Sequence, residues 1–211
     1  RQTQSKNRVN EFKVALVGYT NAGKSTLMKT ISGADVLIKD QLFATLDTTI
    51  RTVKLDKSHK ILLSDTVGFV RKLPHHLVAS FKSTLKEVVE ADLILIILDS
   101  SSNEVNDHYN TILEVLKDLG VERSSSVIIM NKIDHKNFEN QINYLKNKFP
   151  EAIFISALNK LMIDSLNKKI IDIMDKNFQT VDLHFSYQES KMLALAQEGV
   201  DVLERIYNDD H

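Results

Sequence analysis

Short, almost wholly apolar runs alternate along this chain with longer stretches in which apolar residues recur every three or four positions. The runs at 12–18 (FKVALVG), 61–65, 92–99 (DLILIILD), 126–131 and 152–156 are brief, β-branched and apolar on both faces. Such runs fit strands of a parallel sheet covered by helices. Residues 49–56 (TIRTVKLD) instead alternate, which predicts a half-exposed edge strand forming a hairpin with the run at 61. Helical spacing covers 24–32, 76–89, 104–119, 138–149 and 163–178. Strand–helix alternation of this kind predicts a doubly wound α/β sheet, whose ligands sit at the carboxyl ends of the strands. The tail differs. Residues 180–186 (TVDLHFS) alternate like one more strand, and 191–207 read as a helix. Met192, Leu193, Leu195, Val202, Leu203 and Ile206 would pack that helix on the domain as a small appendage, with too little core to stand alone.

Composition narrows the possibilities. The 27 basic and 28 acidic residues nearly cancel, so overall charge gives no reason to expect nucleic acid or an anionic membrane as partner. The chain has no cysteine, which excludes disulfides and thiol chemistry. No apolar run approaches the roughly 20 residues of a membrane helix, and the first ten residues have no signal-peptide character. A cytoplasmic protein is expected. Glycine is scarce, and three of its six positions (Gly18, Gly23 and Gly68) fall in the motifs below, where a backbone must approach a ligand closely.

Gly18-Tyr19-Thr20-Asn21-Ala22-Gly23-Lys24-Ser25, followed by Thr26, matches G-x-x-x-x-G-K-[ST] between a predicted strand and a predicted helix. Such a loop turns successive backbone N–H groups around a β-phosphate, helped by the positive end of the helix. Lys24 then reaches the β- and γ-phosphates and Ser25 ligates magnesium. Asp65-Thr66-Val67-Gly68 ends the strand at 61–65. Its carboxylate can hold magnesium through water, and the Gly68 N–H can contact a γ-phosphate. A threonine whose hydroxyl caps the metal is needed between these motifs, and Thr45, Thr48 and Thr49 are all candidates. Asn131-Lys132-Ile133-Asp134 ends the fifth run. The Asp134 carboxylate only accepts hydrogen bonds, and guanine offers it two donors on one edge where adenine offers none. The Lys132 stem can lie over the base and Asn131 can tie the loop to the phosphate loop. Ser156-Ala157-Leu158 ends the last strand, where a backbone N–H can meet the guanine carbonyl.

These motifs in this order imply a Ras-like P-loop GTPase: an α/β fold with a doubly wound, mostly parallel sheet and one antiparallel edge strand. GTP or GDP is the ligand and Mg2+ the cofactor. The position that holds a water-orienting glutamine in the Ras template is Phe69 here. A phenyl ring cannot orient water, so slow hydrolysis awaiting a partner is expected.

Several stretches are more specific. GYTNAGKSTL, LFATLD, the run DTVGFVRKLPHHLV with FKSTL, and NKID resemble the HflX family of ribosome-associated GTPases over about residues 12–178. The resemblance implies that Thr45 joins Ser25 on magnesium, with Phe43, Ala44, Thr45, Leu46 and Asp47 as the first switch. Lys24, Thr45 and Gly68 would act in catalysis, and the large ribosomal subunit would be the stimulating partner, in ribosome splitting or rescue. The family has proline where this chain has Thr48, and a further amino-terminal domain before the GTPase domain. Residues 1–10 are therefore expected to be the end of a connecting helix, 11–178 the GTPase domain and 179–211 the appendage. Asn21 is where some relatives recruit K+. The expected state is a monomer, cytoplasmic, associated with ribosomes or a membrane surface. Two other readings stay open: a binding module in which GTP sets conformation, and another assembly or tRNA-modification GTPase. Arg71, Lys72, His75 and His76 can be read equally as an RNA contact or as a solvated loop.

Overall fold

The computed structural model describes residues 12–33, 49–66, 85–121, 125–177, 181–186, 189–197 and 204–206. Six strands form one sheet: β1 (Phe12–Gly18), β2 (Thr49–Lys54), β3 (Lys60–Asp65), β4 (Leu93–Asp99), β5 (Ser125–Asn131) and β6 (Ile153–Phe154). Their spatial order is β2-β3-β1-β4-β5-β6. All neighbours pair in parallel except β2 and β3, whose antiparallel hairpin sets Thr49 across from Asp65. The helices are α1 (Lys24–Ser32), α2 (Lys86–Val89), α3 (Val105–Asp118), α4 (Lys136–Glu139), α5 (Ile142–Lys148), α6 (Ile163–Asn177) and α7 (Ser190–Gln197).

The apolar strands divide their side chains between two cores, as the strand period of two requires. Leu93, Leu95 and Ile97 of β4 join Leu27 and Met28 of α1 and Leu166 and Ile170 of α6 on one face. Ile94, Ile96 and Leu98 join Val88 of α2, Ile112 of α3 and Leu145 of α5 on the other. With both faces covered, β4 tolerates no polar residue before Asp99. The strand order reverses between β1 and its neighbours β3 and β4, which puts the carboxyl end of β1 at the topological switch point.

Four expectations need correction. The single helix expected at 138–149 is two: a one-turn helix closes at Asn140, where Gln141 N donates to the Phe138 carbonyl (2.9 Å), three residues back instead of four, and a second helix starts at Ile142. The strand expected at 152–156 shrinks to Ile153–Phe154, since the Ile155 carbonyl accepts from Ile133 N (3.2 Å) and Ser156 bridges to Leu161. Residues 181–186 form no strand: extended chain with alternating side chains still needs a sheet edge to pair with. The tail helix is Ser190–Gln197, residues 204–206 are not helical, and Met192, Leu193 and Ile206 are exposed rather than packed. An amphipathic pattern makes a helix possible, but the area buried decides whether it docks. Residues 1–10, 76–84 and the tail positions Val202 and Leu203 lie outside the described residues, as does the Leu195 side chain. No helix among the described residues is long and apolar enough to cross a membrane.

Candidate functional site

β1 ends at Gly18 and α1 opens at Lys24, so the connecting loop must turn sharply over the sheet. Two glycines make this possible. A Cβ on Gly18 would stand 2.5 Å from the Ile97 carbonyl of β4, and one on Gly23 would stand 2.2 Å from Asn131 Nδ2. Gly23 also has φ of 97°, left-handed backbone that side chains resist, and Asn21 has φ of 63°. Lys24 is buried and donates to the Gly18 (3.1 Å) and Tyr19 (3.0 Å) carbonyls of its own loop. Burial pushes its ammonium down from 10.5 to about 8, and the nearby Asp65 charge pulls the other way. A cation folded into a ring of main-chain groups at a helix amino terminus suits a polyphosphate.

Beside it, Ser25 Oγ donates to Asp65 Oδ2 at 2.6 Å. Asp65 is buried at the end of β3, and Thr66 Oγ1 next to it donates to the Leu16 carbonyl of β1 (2.7 Å). The donors here are hard oxygens only, a hydroxyl and a carboxylate, which fits magnesium. No cluster of three or more histidines and carboxylates that could cage a metal exists among the described residues.

Asn131, at the end of β5 and 2% exposed, joins three distant parts of the sequence. Its Nδ2 donates to the Ala22 carbonyl of the phosphate loop (2.9 Å), and its Oδ1 accepts from Ala157 N (2.9 Å). Thr30 Oγ1 of α1 donates to the Ala157 carbonyl at 2.7 Å, bracing the same contact from below. Lys132 and Ile133 are half-buried, while Asp134 points into the open, as a side chain that reads a ligand must. Ser156 is buried and accepts from Asn159 N (3.0 Å), and Leu158 is exposed. Tyr19 stacks on His108 of α3 with ring centroids 3.9 Å apart, fixing the outer side of the phosphate loop.

The described residues therefore bring together Gly18, Tyr19, Thr20, Asn21, Ala22, Gly23, Lys24, Ser25 and Thr26 with Asp65, Thr66, Asn131, Lys132, Ile133, Asp134, Ser156, Ala157 and Leu158, at one end of the sheet. Phe43, Ala44, Thr45, Leu46, Asp47 and Thr48 lie outside them, as do Val67, Gly68, Phe69 and the group Arg71, Lys72, His75 and His76. Thr49 is committed to β2. Sequence reasoning passed over Asp99 and Ser100, which meet the Asn131–Lys132 segment from the end of β4, and Ser101, which holds Asp99. Their signal was an abrupt change from apolar to D-S-S at a strand's carboxyl end.

A family model described as "50S ribosome-binding GTPase" matches residues 13–132. GTPase HflX of Caldanaerobacter subterraneus subsp. tengcongensis is 39% identical over 209 residues, covering 99% of this chain and 47% of that protein. GTPase HflX of Akkermansia muciniphila is 49% identical over 136 residues, covering 64% of this chain and 31% of that protein. Among solved structures, a GTP-binding protein from Sulfolobus solfataricus in complex with GDP is similar, with 26% identity and TM-score 0.63 over 79% of this chain and 53% of that one. The chain spans about half or less of the length of these curated relatives.

Proposed function

Because this chain belongs to the 50S ribosome-binding GTPase family, and within it to HflX, we propose that it binds GTP with magnesium and hydrolyses it to GDP and phosphate. The observation that carries this reading is the double hydrogen bond of Asn131 to Ala22 and Ala157, which ties a phosphate loop to a guanine-type loop. The GDP bound to the similar Sulfolobus protein supports the same ligand. In this proposal the loop N–H groups of residues 19–24 and the Lys24 ammonium hold the phosphates. Ser25, Thr45 and, through water, Asp65 hold magnesium, which when bound offsets charge developing on the phosphates. Asp134 accepts the two guanine donors, the Lys132 stem covers the base, and a backbone N–H of the Ser156–Leu158 turn donates to its carbonyl. Thr45, Lys24 and Gly68 carry the catalytic roles, and the commitment of Thr49 to β2 favours Thr45 over it for the switch.

With phenylalanine at position 69, the chain supplies no side chain there to orient water, so hydrolysis is slow until the large ribosomal subunit orders the second switch. Residues 11–178 form the catalytic unit, with 179–211 as appendage. Potassium held near Asn21 supports turnover, and a rate unchanged when sodium replaces it removes that ion. Calorimetry in magnesium buffer tests the core of the reading. Heat with GDP and with a non-hydrolysable GTP analogue, absent with the adenine counterparts, is expected; equal heat with both purines overturns it. Single-turnover hydrolysis titrated with 50S subunits tests the partner, and a flat rate removes the ribosome from the mechanism.

A further inference from the structure

Lys132 is held in a backbone conformation that a lysine does not choose. Its φ is 67°, in the left-handed region where a side chain costs roughly 1 kcal/mol or more. Something must therefore over-determine this residue. The Asp99-Ser100-Ser101 corner at the end of β4 does so from two directions. Ser100 N (2.9 Å) and Ser100 Oγ (2.6 Å) both donate to the Asn131 carbonyl, the peptide that leads into Lys132. Asp99 Oδ2 accepts from Lys132 Nζ at 2.7 Å.

Asp99 is itself oriented. Its other oxygen, Oδ1, accepts from Ser101 N (2.9 Å) and Ser101 Oγ (2.6 Å), so the carboxylate cannot swing away from Lys132 without breaking two bonds. β4 and β5 pair in register up to Asp99 opposite Asn131, which carries this geometry into the rigid sheet. Side-chain exposures of 35% for Lys132 and 21% for Asp99 leave the pair half-shielded, where an oriented, charge-assisted bond is worth more than at the surface. A long lysine stem loses much rotamer freedom when it is to lie flat over a ring. Anchoring its far end in advance removes that cost from the binding step.

We propose that Asp99, braced by Ser101, is a positioning residue for nucleotide recognition: it pins the Lys132 ammonium so that the lysine stem forms a preset platform for the purine ring. This rests on the guanine reading above and assigns it a part that no contact with nucleotide would reveal. In this proposal Asp99 is given no contact of its own with phosphate or base. It acts through Lys132, and so its effect must vanish when Lys132 has no ammonium to hold.

The test is a double-mutant cycle on the full 211-residue chain, read as the dissociation constant of a fluorescent GDP derivative in magnesium buffer. Asp99→Asn is expected to weaken binding about tenfold in the wild-type background and less than twofold in a Lys132→Met background. A fold-change equal in both backgrounds would mean that Asp99 only supports the fold, and no change in either would leave it without a role; both overturn the proposal. Should Asp99→Asn not fold, Ser101→Ala keeps both charges and loosens only the carboxylate. It is expected to cost about threefold, again only when Lys132 is present. Wild-type chain that binds no guanine nucleotide would sink the guanine reading and this inference with it. Wild-type binding with an unchanged Asp99→Asn would sink this inference alone.

Discussion

Replacing Asn131 by alanine tests the link between the fold and the site most directly. The side chain is 2% exposed and makes two hydrogen bonds, to the Ala22 carbonyl and from Ala157 N, both at 2.9 Å. Its two partners are also buried, at 2% and 1% exposure for Ala22 and Ala157, so water cannot readily take over. Truncation leaves one acceptor and one donor orphaned at about 1–3 kcal/mol each, and the lost packing adds a little more. A net loss of about 3 kcal/mol is expected. For a chain of this size that corresponds to a fall in Tm of roughly 6–12 °C.

The assay is urea unfolding of nucleotide-free protein followed by circular dichroism, with Thr30→Val as reference. That change removes one hydrogen bond to the Ala157 carbonyl and should cost only about 1 kcal/mol. Asn131→Asp retains an acceptor for Ala157 N but faces the Ala22 carbonyl with an anion, and should be no more stable than Asn131→Ala. An Asn131→Ala variant within about 1 kcal/mol of wild type, with an unchanged urea slope, would refute the reasoning. The two loops would then be held by something other than this side chain.

Three further outcomes follow from the geometry. Gly23→Ala places a methyl 2.2 Å from Asn131 Nδ2 on a backbone with φ of 97°, so GDP binding should fall beyond calorimetric detection; wild-type affinity in this variant would contradict the close approach. Lys24 holds its proton less tightly in the fold, at about 8, than in the unfolded chain, at 10.5. The folded state therefore binds fewer protons between those values, and its stability relative to Lys24→Met should rise as pH goes from 8 to 10.5; a difference that stays flat over this window would refute the burial argument. His59 joins the β2–β3 turn to α6 through Asp56 (2.8 Å) and Asp175 (3.1 Å); burial opposes its charge, but the two carboxylates outweigh this and raise it above 6.5. A raised value means the contribution is complete below 6.5 and is lost as pH climbs through the folded value, so the stability gap between wild type and His59→Ala should narrow on going upward from there; a gap that widens would refute the clasp.

Local chemistry made much of this protein legible from residue order. The phosphate loop could be read because its glycines, lysine and serine lie side by side, and backbone geometry allows few alternatives at those positions. β1 and α1 were delimited to the residue because a glycine-rich turn separates them. The antiparallel hairpin was legible because only a short turn separates the alternating strand at 49 from the run at 61. The proposed role of Asp134 rests on hydrogen-bond inventory, since its warrant lies in the base rather than in the fold.

What tertiary structure alone decided were the interactions between residues far apart in sequence. Periodicity cannot tell that Val181, Leu183, Met192, Leu193 and Ile206 stay exposed, because docking depends on area contributed by other segments. Nor can it tell that Ser156 turns back to Leu161 and cuts the last strand short. The Asp99 anchor was invisible for the same reason. Thirty-three residues separate it from Lys132, and only the parallel register of β4 with β5 puts its carboxylate 2.7 Å from that ammonium. Sequence therefore specifies each loop's own chemistry, whereas the sheet decides which loops meet, since pairing register is fixed by the packing of the whole core.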